Sequence, residues 1–452
     1  MEWEKISESL DLLLASGRTT ELRGALRMLN PVDIATYLET LKDSQLLRVF
    51  RILPKDISAD VFSYMSPEQQ QTLIGLVGDK EVCKLIEDMF LDDAVDFLEE
   101  LPSGVVKRIL QNAGENTRNQ INQFLSYPEY SAGSIMTIEY VEFRENSTVA
   151  EAMRSLRKTG LDKETIYTCY IIDSSRHLTG TIALRRLIMA EDDQTLIELM
   201  ERNVISVETT DDQEFVADTV RKYDLMSIPV VDKEHRLCGI VTADDIMDVI
   251  EEENTEDFER MAALLPADNE YLKTPVFTLF KNRIPWLLIL MLTATITGVI
   301  ITGFEGFLTA SGALGVALTA SIPMLMNTGG NCGSQASTLI IRGLALGEVE
   351  FKDILRVIWR EVRVAMLVGV LLCLVNFLRM ILFTDSGLPV AAVISLAMFI
   401  TVIFSKCIGC VLPMLAKKIN LDPALMASPV ITTLVDTFSI GVLLILATQL
   451  LN

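Results

Sequence analysis

Histidine is almost absent from this 452-residue chain: only His177 and His235 occur, both in stretches that read as turns. No Walker loop or nucleophile motif accompanies them, so the usual acid–base and nucleophilic constellations are missing and no enzymatic activity is expected. Cysteine is sparse too. Cys83, Cys169 and Cys238 lie far apart in the acidic half and the other four of the 7 lie in apolar sequence, which suits reduced buried thiols rather than a disulfide framework. Cys407-x-x-Cys410 has the spacing of a zinc or redox half-site, but no second pair completes it. Basic residues are scarce before Val276, where 28 Lys+Arg face 53 Asp+Glu, so that surface does not neutralise phosphates and nucleic acid is not an expected partner. The opening Met1-Glu2-Trp3-Glu4-Lys5 lacks the basic-then-apolar pattern of a secretory signal, which predicts a cytosolic first half.

What is present changes texture along the chain. From Ile6 to about Tyr127 apolar residues recur at helical spacing, as at Ile34, Leu38 and Leu41, punctuated by Pro31, Pro54, Pro67, Gly78 and Pro102. Pro31-Val-Asp-Ile, Pro54-Lys-Asp-Ile and Leu91-Asp-Asp-Ala each open an amphipathic helix, which predicts a stack of short helices with a degenerate repeat. Between Ile135 and Glu251 one unit occurs twice. Cys169-Tyr-Ile-Ile-Asp173 and Leu178-Thr-Gly180-Thr-Ile parallel Ile228-Pro-Val-Val-Asp232 and Leu237-Cys-Gly239-Ile-Val, each reading strand, turn, strand, helix. The tandem arrangement resembles a pair of CBS modules. That resemblance implies a regulatory unit and ATP as a candidate ligand, with Thr242 in Gly239-Ile-Val-Thr242-Ala-Asp-Asp245 at the ribose-holding position.

After Pro266 and Pro275 the sequence turns apolar. The runs Ile284–Phe304, Gly312–Met326, Val362–Phe383, Leu388–Ala416 and Ala424–Leu450 predict five membrane spans. The second must continue through the polar Asn327–Ser337 to cross fully, and irregular backbone at such depth is expected only where it lines protein or a water-filled cavity. Lys281 and Arg283, then Arg342, Lys352, Arg356, Arg360 and Arg363, then Lys417 and Lys418 flank one side, while Glu305 and Asp385 mark the other. This predicts a multi-pass plasma-membrane protein whose N-terminus is inside and whose C-terminus is outside.

Asp436 falls near the middle of the last span, where a charge costs about 2.5–3.5 kcal/mol on insertion scales. A hydrated divalent cation compensates for it in one reading, because Mg²⁺ keeps several waters and is held through one or two carboxylates. The other reading is a static pair with Lys406 in the neighbouring span. Gly329, Gly330, Asn331 and Gln335 stand in the polar interruption, the glycines freeing backbone carbonyls and the amides ordering ion-bound water. In the acidic stretch Asp244–Glu259, Asp245/Asp248, Asp248/Glu252, Glu252/Glu256 and Glu253/Asp257 are like-charged helical neighbours, and Asp92/Asp96 form another such pair. Facing carboxylates repel until a divalent ion bridges them, which gives a two-state element.

The pattern Gly-Gly-Asn-x-Gly-x-Gln-x-x-Thr-Leu-Ile-Ile-Arg at 329–342, with Asp422-Pro-Ala and Ser428-Pro-Val-Ile-Thr-Thr-Leu-Val-Asp436, resembles the MgtE family of magnesium channels. The resemblance covers essentially the whole chain. It implies a multidomain protein: an all-α superhelical N-domain (1–130), an α/β tandem CBS pair (131–252), a linker or plug helix (253–278) and a five-helix transmembrane pore domain (279–452). It also implies a homodimer in the lipid bilayer that takes up Mg²⁺ and is closed by Mg²⁺ on its cytosolic domains. Asp92, Asp96, Asp224, Asp245, Asp248, Glu253, Glu256 and Asp257 fall at or near positions where members hold regulatory ions, and the segment Thr255–Lys273 is where the pore would be plugged or braced. A broader Mn²⁺, Co²⁺ or Ni²⁺ pathway and a membrane-tethered nucleotide sensor are the alternatives.

Overall fold

A computed structural model describes residues 2–451 apart from Lys55, Asp56, Glu100, 267–270, Lys273, Asp385, Ser386 and Ala427. The loop acid Asp385, two residues of Pro54-Lys-Asp-Ile and part of the plug segment therefore lie outside the described residues. The chain forms two compact units, Met1–Glu251 and Glu252–Asn452.

The first unit begins with ten helices, counted among the described residues, from Glu2–Ala15 to Glu115–Phe124. Two of them, Pro31–Glu39 and Pro67–Leu76, start on a proline whose missing N–H costs nothing at a helix's first position. Their apolar stripes converge on a core containing Ile34, Leu38, Phe62 and Phe97, with the Phe62 and Phe97 rings edge to face at 5.0 Å. Burying side chains of this size stabilises by about 1.5–3 kcal/mol each, which holds helices too short to persist alone.

The internal repeat is realised as two equivalent sheets. Strand β1 (Val141–Arg144) pairs parallel with β2 (Thr168–Ile172), which pairs antiparallel with β3 (Leu178–Ala183); β4 (Val207–Glu208), β5 (Ser227–Val231) and β6 (Leu237–Thr242) repeat that order. Even the register irregularity recurs, between Ile171 and Ile172 and between Val230 and Val231. Gly180 and Gly239 are glycine for a common reason. A Cβ at Gly180 would lie 2.6 Å from Met200 Sδ, and one at Gly239 would lie 2.7 Å from Met136 Sδ. The copies are joined by the buried hydrogen bond of Tyr170 Oη with Ser227 Oγ at 2.7 Å.

Directly after β6 a helix runs over Ala243–Met261, called here the linker helix. The helix expected at 253–278 is thus the second half of a longer one that ends at Met261. Ala263 is left-handed (φ 55°), Pro266 and Pro275 disfavour the helical region at Leu265 and Thr274 before them, and the next helix starts at Val276.

Five long helices dominate the second unit: Val276–Gly303, Ala313–Ala345, Ile354–Phe383, Leu388–Lys418 and Ser428–Leu450. The second packs chiefly on the fourth and fifth, and the third packs on the fourth. Among the described residues four helical segments combine membrane length with apolar composition, and Ala313–Ala345 is not one of them. Its 33 residues suffice to cross, but its middle is polar.

Candidate functional site

The irregular backbone expected at Asn327–Ser337 is not found: Ala313–Ala345 is one continuous α-helix, through Pro323 and all three glycines of the motif. The glycines work by close packing instead of by releasing carbonyls. A Cβ at Gly329 would lie 2.6 Å from Val435 Cγ1 and 2.7 Å from Thr401 Cγ2, one at Gly330 2.8 Å from Thr432 Cγ2, and one at Gly333 2.6 Å from Ile431 Cγ2. These contacts run antiparallel along the fifth helix. Because Val435 and Ser439 flank Gly329, Asp436 is level with the start of the glycine motif. Ser405 on the fourth helix donates to the Gly329 carbonyl, so this junction is also pinned by a hydrogen bond. Overpacking of this kind costs about 1–3 kcal/mol. Gly333→Ala is therefore expected to lower the melting temperature of the detergent-solubilised protein by several degrees, whereas Gly298→Ala, with open space around it, leaves it unchanged.

With the glycines turned inward, the amides of the motif are turned out. Asn327, Asn331 and Gln335 recur every four residues and are exposed along one stripe of an otherwise apolar domain. Asn331 Nδ2 donates to Asn327 Oδ1 at 3.3 Å, and Gln335 has no side-chain partner among the described residues. Asp436 is half-buried, and no hydrogen bond or ion pair to it is found among the described residues.

The static partner weighed for Asp436 is engaged elsewhere. Lys406 Nζ lies 3.6 Å from Glu361 Oε2, and both side chains are largely buried, 7% and 15% exposed. Glu361 stood just outside the third apolar run in sequence, but the helix starts at Ile354 and carries it inside. Cys407 and Cys410 are free thiols on the fourth helix.

The first unit holds an acidic cluster that is larger than the predicted pair. Asp92 and Asp93 in the first turn of Leu91–Glu99 meet Asp245 in the first turn of the linker helix and Glu164 from the first CBS copy. Burial, then Asp245 and Asp93, push Asp92 up to about 9. Burial, then Asp245, raise Asp93 to about 6, and burial, then Asp245 and Asp93, raise Glu164 to about 7. Asp245 is raised by burial and held back by the Thr242 hydroxyl, which donates to its Oδ2 as the Thr242 N–H also does at 3.3 Å. Asp248 is raised by burial, then by Glu251 and Asp244.

Glu164 Oε2 is buried with no hydrogen-bond partner among the described residues. Among the described residues no three or more His, Cys, Asp or Glu side chains are grouped so that they could hold a metal ion. Carboxylate oxygens are the donor type Mg²⁺ takes, with part of its water shell kept between ion and protein.

Other expected sensor residues sit apart. Asp96 is exposed one turn beyond Asp92 on its helix, and Asp224 is exposed as the left-handed cap (φ 50°) of Gln213–Tyr223; neither is among the main charges acting on the cluster. Glu253, Glu256 and Asp257 belong to a second group in the other unit. There Arg260 donates to Glu256 and to Asp422, and burial, then Asp422 and Glu253, raise Asp257 to about 6. Sequence reasoning missed Asp93, Glu164, Asp244 and Asp422 as members of these groups. Asp93 was legible beside Asp92, while Glu164 joins only through a tertiary contact.

A sequence profile described as divalent cation transporter, that of MgtE, matches residues 322–446, which include the whole stripe and Asp436. The MgtE intracellular N-domain profile matches 29–130 and a CBS-domain profile 196–252. The chain is 36% identical to the magnesium transporter MgtE of Thermus thermophilus over 99% of both chains. The chain belongs to the MgtE family. The MgtE of Bacillus subtilis is 30% identical over 100% of this chain and 99% of its own. Among solved structures, the cytosolic domain of the Mg²⁺ channel MgtE in complex with ATP is 36% identical, covering 54% of this chain and 99% of that one with a TM-score of 0.52. The soluble part of a magnesium transporter gives 32%, 56%, 99% and 0.53 in the same terms. The MgtE profile and the geometry meet on the same helices: the matched segment spans the glycine junction, the amide stripe and the carboxylate level with it.

Proposed function

We propose that this chain is a Mg²⁺-selective channel for magnesium uptake, closed by Mg²⁺ on its acidic cytosolic domains. One observation carries the reading. A stripe of amides, Asn327, Asn331 and Gln335, is exposed on a membrane-length helix, level at one end with Asp436, which has no hydrogen bond or ion pair among the described residues. Polar groups at that depth find water or an ion, or they are not tolerated.

In this reading Ala313–Ala345 is the fifth membrane span, and two copies of the chain face their stripes across a shared axis. Asp436 of each copy holds a hydrated ion, Asn331 and Gln335 contact its water shell, and Gly329 and Gly330 set the spacing. The basic loops place the N-terminus and the CBS pair in the cytosol and the C-terminus outside. The domain boundaries at 130, 252 and 278 follow from the same layout. Magnesium transport by the relatives in Thermus thermophilus and Bacillus subtilis supports the choice of ion. The unit Met1–Glu251 is the sensor: Asp92, Asp93, Glu164, Asp245 and Asp248 hold regulatory Mg²⁺, with Asp96 and Asp224 as outlying ligands, and Glu253, Glu256 and Asp257 in the other unit form a separate regulatory group. ATP is a second ligand of the CBS pair, supported by the related cytosolic domain bound to ATP. A ribose at Thr242 would take the hydroxyl that Thr242 now gives to Asp245.

The pore assignment is tested by thiol accessibility in a background stripped of native cysteine. With Asn331→Cys or Gln335→Cys, a charged thiol reagent is expected to block Mg²⁺ influx. With Ala336→Cys, which is buried, influx is expected to persist. Block at Ala336 but not at Asn331 contradicts the assignment.

A further inference from the structure

The linker helix ends on a cation that neither the pore nor the sensor uses. Arg260 follows an acidic stretch, Asp244–Glu259, that contains no Lys or Arg, and it is the basic residue of the helix's last turn. Its side chain is 32% exposed, and its guanidinium is shared between two carboxylates. Nη2 donates to Glu256 Oε1 one turn back, and Nη1 donates to Asp422 Oδ2, in the loop that joins the fourth and fifth long helices. The other Asp422 oxygen accepts from the Ala424 N–H at 2.7 Å, which fixes the carboxylate at the turn Pro423–Met426 leading into the helix of Asp436. Asp257 and Glu253 bring further negative charge to the same place. A planar guanidinium suits this bridging, because its donors reach two acceptors at once without a choice of rotamer for each.

We propose that Arg260 is a built-in counter-cation that clamps the linker helix to the loop before the fifth long helix, and thereby sets the baseline from which cytosolic Mg²⁺ closes the pore. The inference rests on the gating reading above. The physical reason is that one fixed charge acts on both halves of the response. Bridging Glu256 and Asp422 gives the docked arrangement a hold that needs no divalent ion. The same charge also lowers the cluster's affinity for Mg²⁺, by neutralising carboxylates that would otherwise attract it. Removing the charge therefore loosens docking at low Mg²⁺ and strengthens the Mg²⁺-dependent closure that follows. Arg260 is a positioning residue, since it touches the loop and not the transported ion.

The test uses the full chain in liposomes with the cytosolic face inward, measuring initial Mg²⁺ influx against internal Mg²⁺. Arg260→Gln is expected to raise influx at zero internal Mg²⁺ about 3- to 10-fold, the scale of two partly exposed ion pairs. Closure at saturating Mg²⁺ persists, so the open-to-closed ratio widens. Arg260→Lys, which keeps the charge but not the fork, falls between. In an Asp422→Asn background Arg260→Gln adds less than about twofold, because its partner across the gap is already gone. A packing role would instead lower influx at every Mg²⁺ concentration, and that result, or an unchanged zero-Mg²⁺ influx, overturns the proposal. If Arg260→Gln does not elute as a folded protein, Asp422→Asn alone must raise the zero-Mg²⁺ influx, and its failure to do so overturns it equally. A wild type indifferent to internal Mg²⁺ fails the gating reading itself; a responsive wild type with an unresponsive variant fails this inference alone.

Discussion

Asp436→Asn is expected to reduce Mg²⁺ influx by at least about tenfold and to weaken discrimination against monovalent cations, with protein yield and elution size unchanged. The change keeps shape and hydrogen-bonding capacity and removes only charge, one per chain. Losing about 1.4 kcal/mol of ion attraction at the tightest point accounts for a tenfold loss. Asp436 has no ion pair to lose among the described residues, so a folding defect is not the expected consequence. Lys406 gives the contrast. Lys406→Met leaves Glu361 buried without its partner, which costs about 3–5 kcal/mol, so this variant is expected to lose folded protein while what does fold keeps its ion preference. Initial-rate influx, normalised to folded protein and compared between Mg²⁺ and K⁺, separates the two. Equal influx and selectivity in Asp436→Asn would remove the carboxylate from the pore.

Neutralising the sensor has the opposite signature. Asp92→Asn combined with Glu164→Gln is expected to flatten the dependence of influx on cytosolic Mg²⁺ from the high-Mg²⁺ side. Influx at high Mg²⁺ rises by about tenfold, because the two side chains that would give up their protons to the bridging ion no longer become carboxylates. The same charges dictate a pH response. The folded-state values of Asp92, Asp93 and Glu164, about 9, 6 and 7, are raised above the ordinary carboxylate range. The folded unit therefore binds more protons than the unfolded chain, and its stability falls as pH rises from about 4 towards 9. Without Mg²⁺, the thermal midpoint of the first transition should drop between pH 6 and pH 9, and saturating Mg²⁺ should remove most of that slope. A midpoint independent of both would mean that the carboxylates are solvated and separate.

The parts of the fold written in local sequence were the parts legible there. The duplicated strand–turn–strand–helix unit was visible because Gly180 and Gly239 occupy the same close contact in each copy, and matching chemistry at matching offsets is what a repeat leaves behind. The long apolar helices were visible because lipid leaves only helices and closed barrels, and apolar runs of about 20 residues are the length of a spanning helix. What sequence could not show was which faces meet. The glycines of the 329–333 motif suggested a broken backbone, yet they are the flat side of an unbroken helix, a distinction that depends on Val435, Thr432 and Ile431 about a hundred residues away. Depth alone offered Lys406 as an alternative partner for Asp436, whereas it lies 3.6 Å from Glu361 on the third long helix. In the sensor, helical spacing nominated Asp96 alongside Asp92. The tertiary contact adds Asp93 and Glu164 to Asp92, because a charge cluster across elements follows which surfaces touch as well as which residues share a turn.

The most direct measurement of the central claim is Mg²⁺ influx into liposomes containing the purified chain alone, recorded while Mg²⁺ on the cytosolic face is stepped from zero to saturation. The account predicts rapid Mg²⁺ entry at zero cytosolic Mg²⁺ that falls steeply as cytosolic Mg²⁺ rises, at constant driving gradient. No influx at any concentration would leave a tethered sensor in place of a pore, and influx that ignores cytosolic Mg²⁺ would contradict the gate.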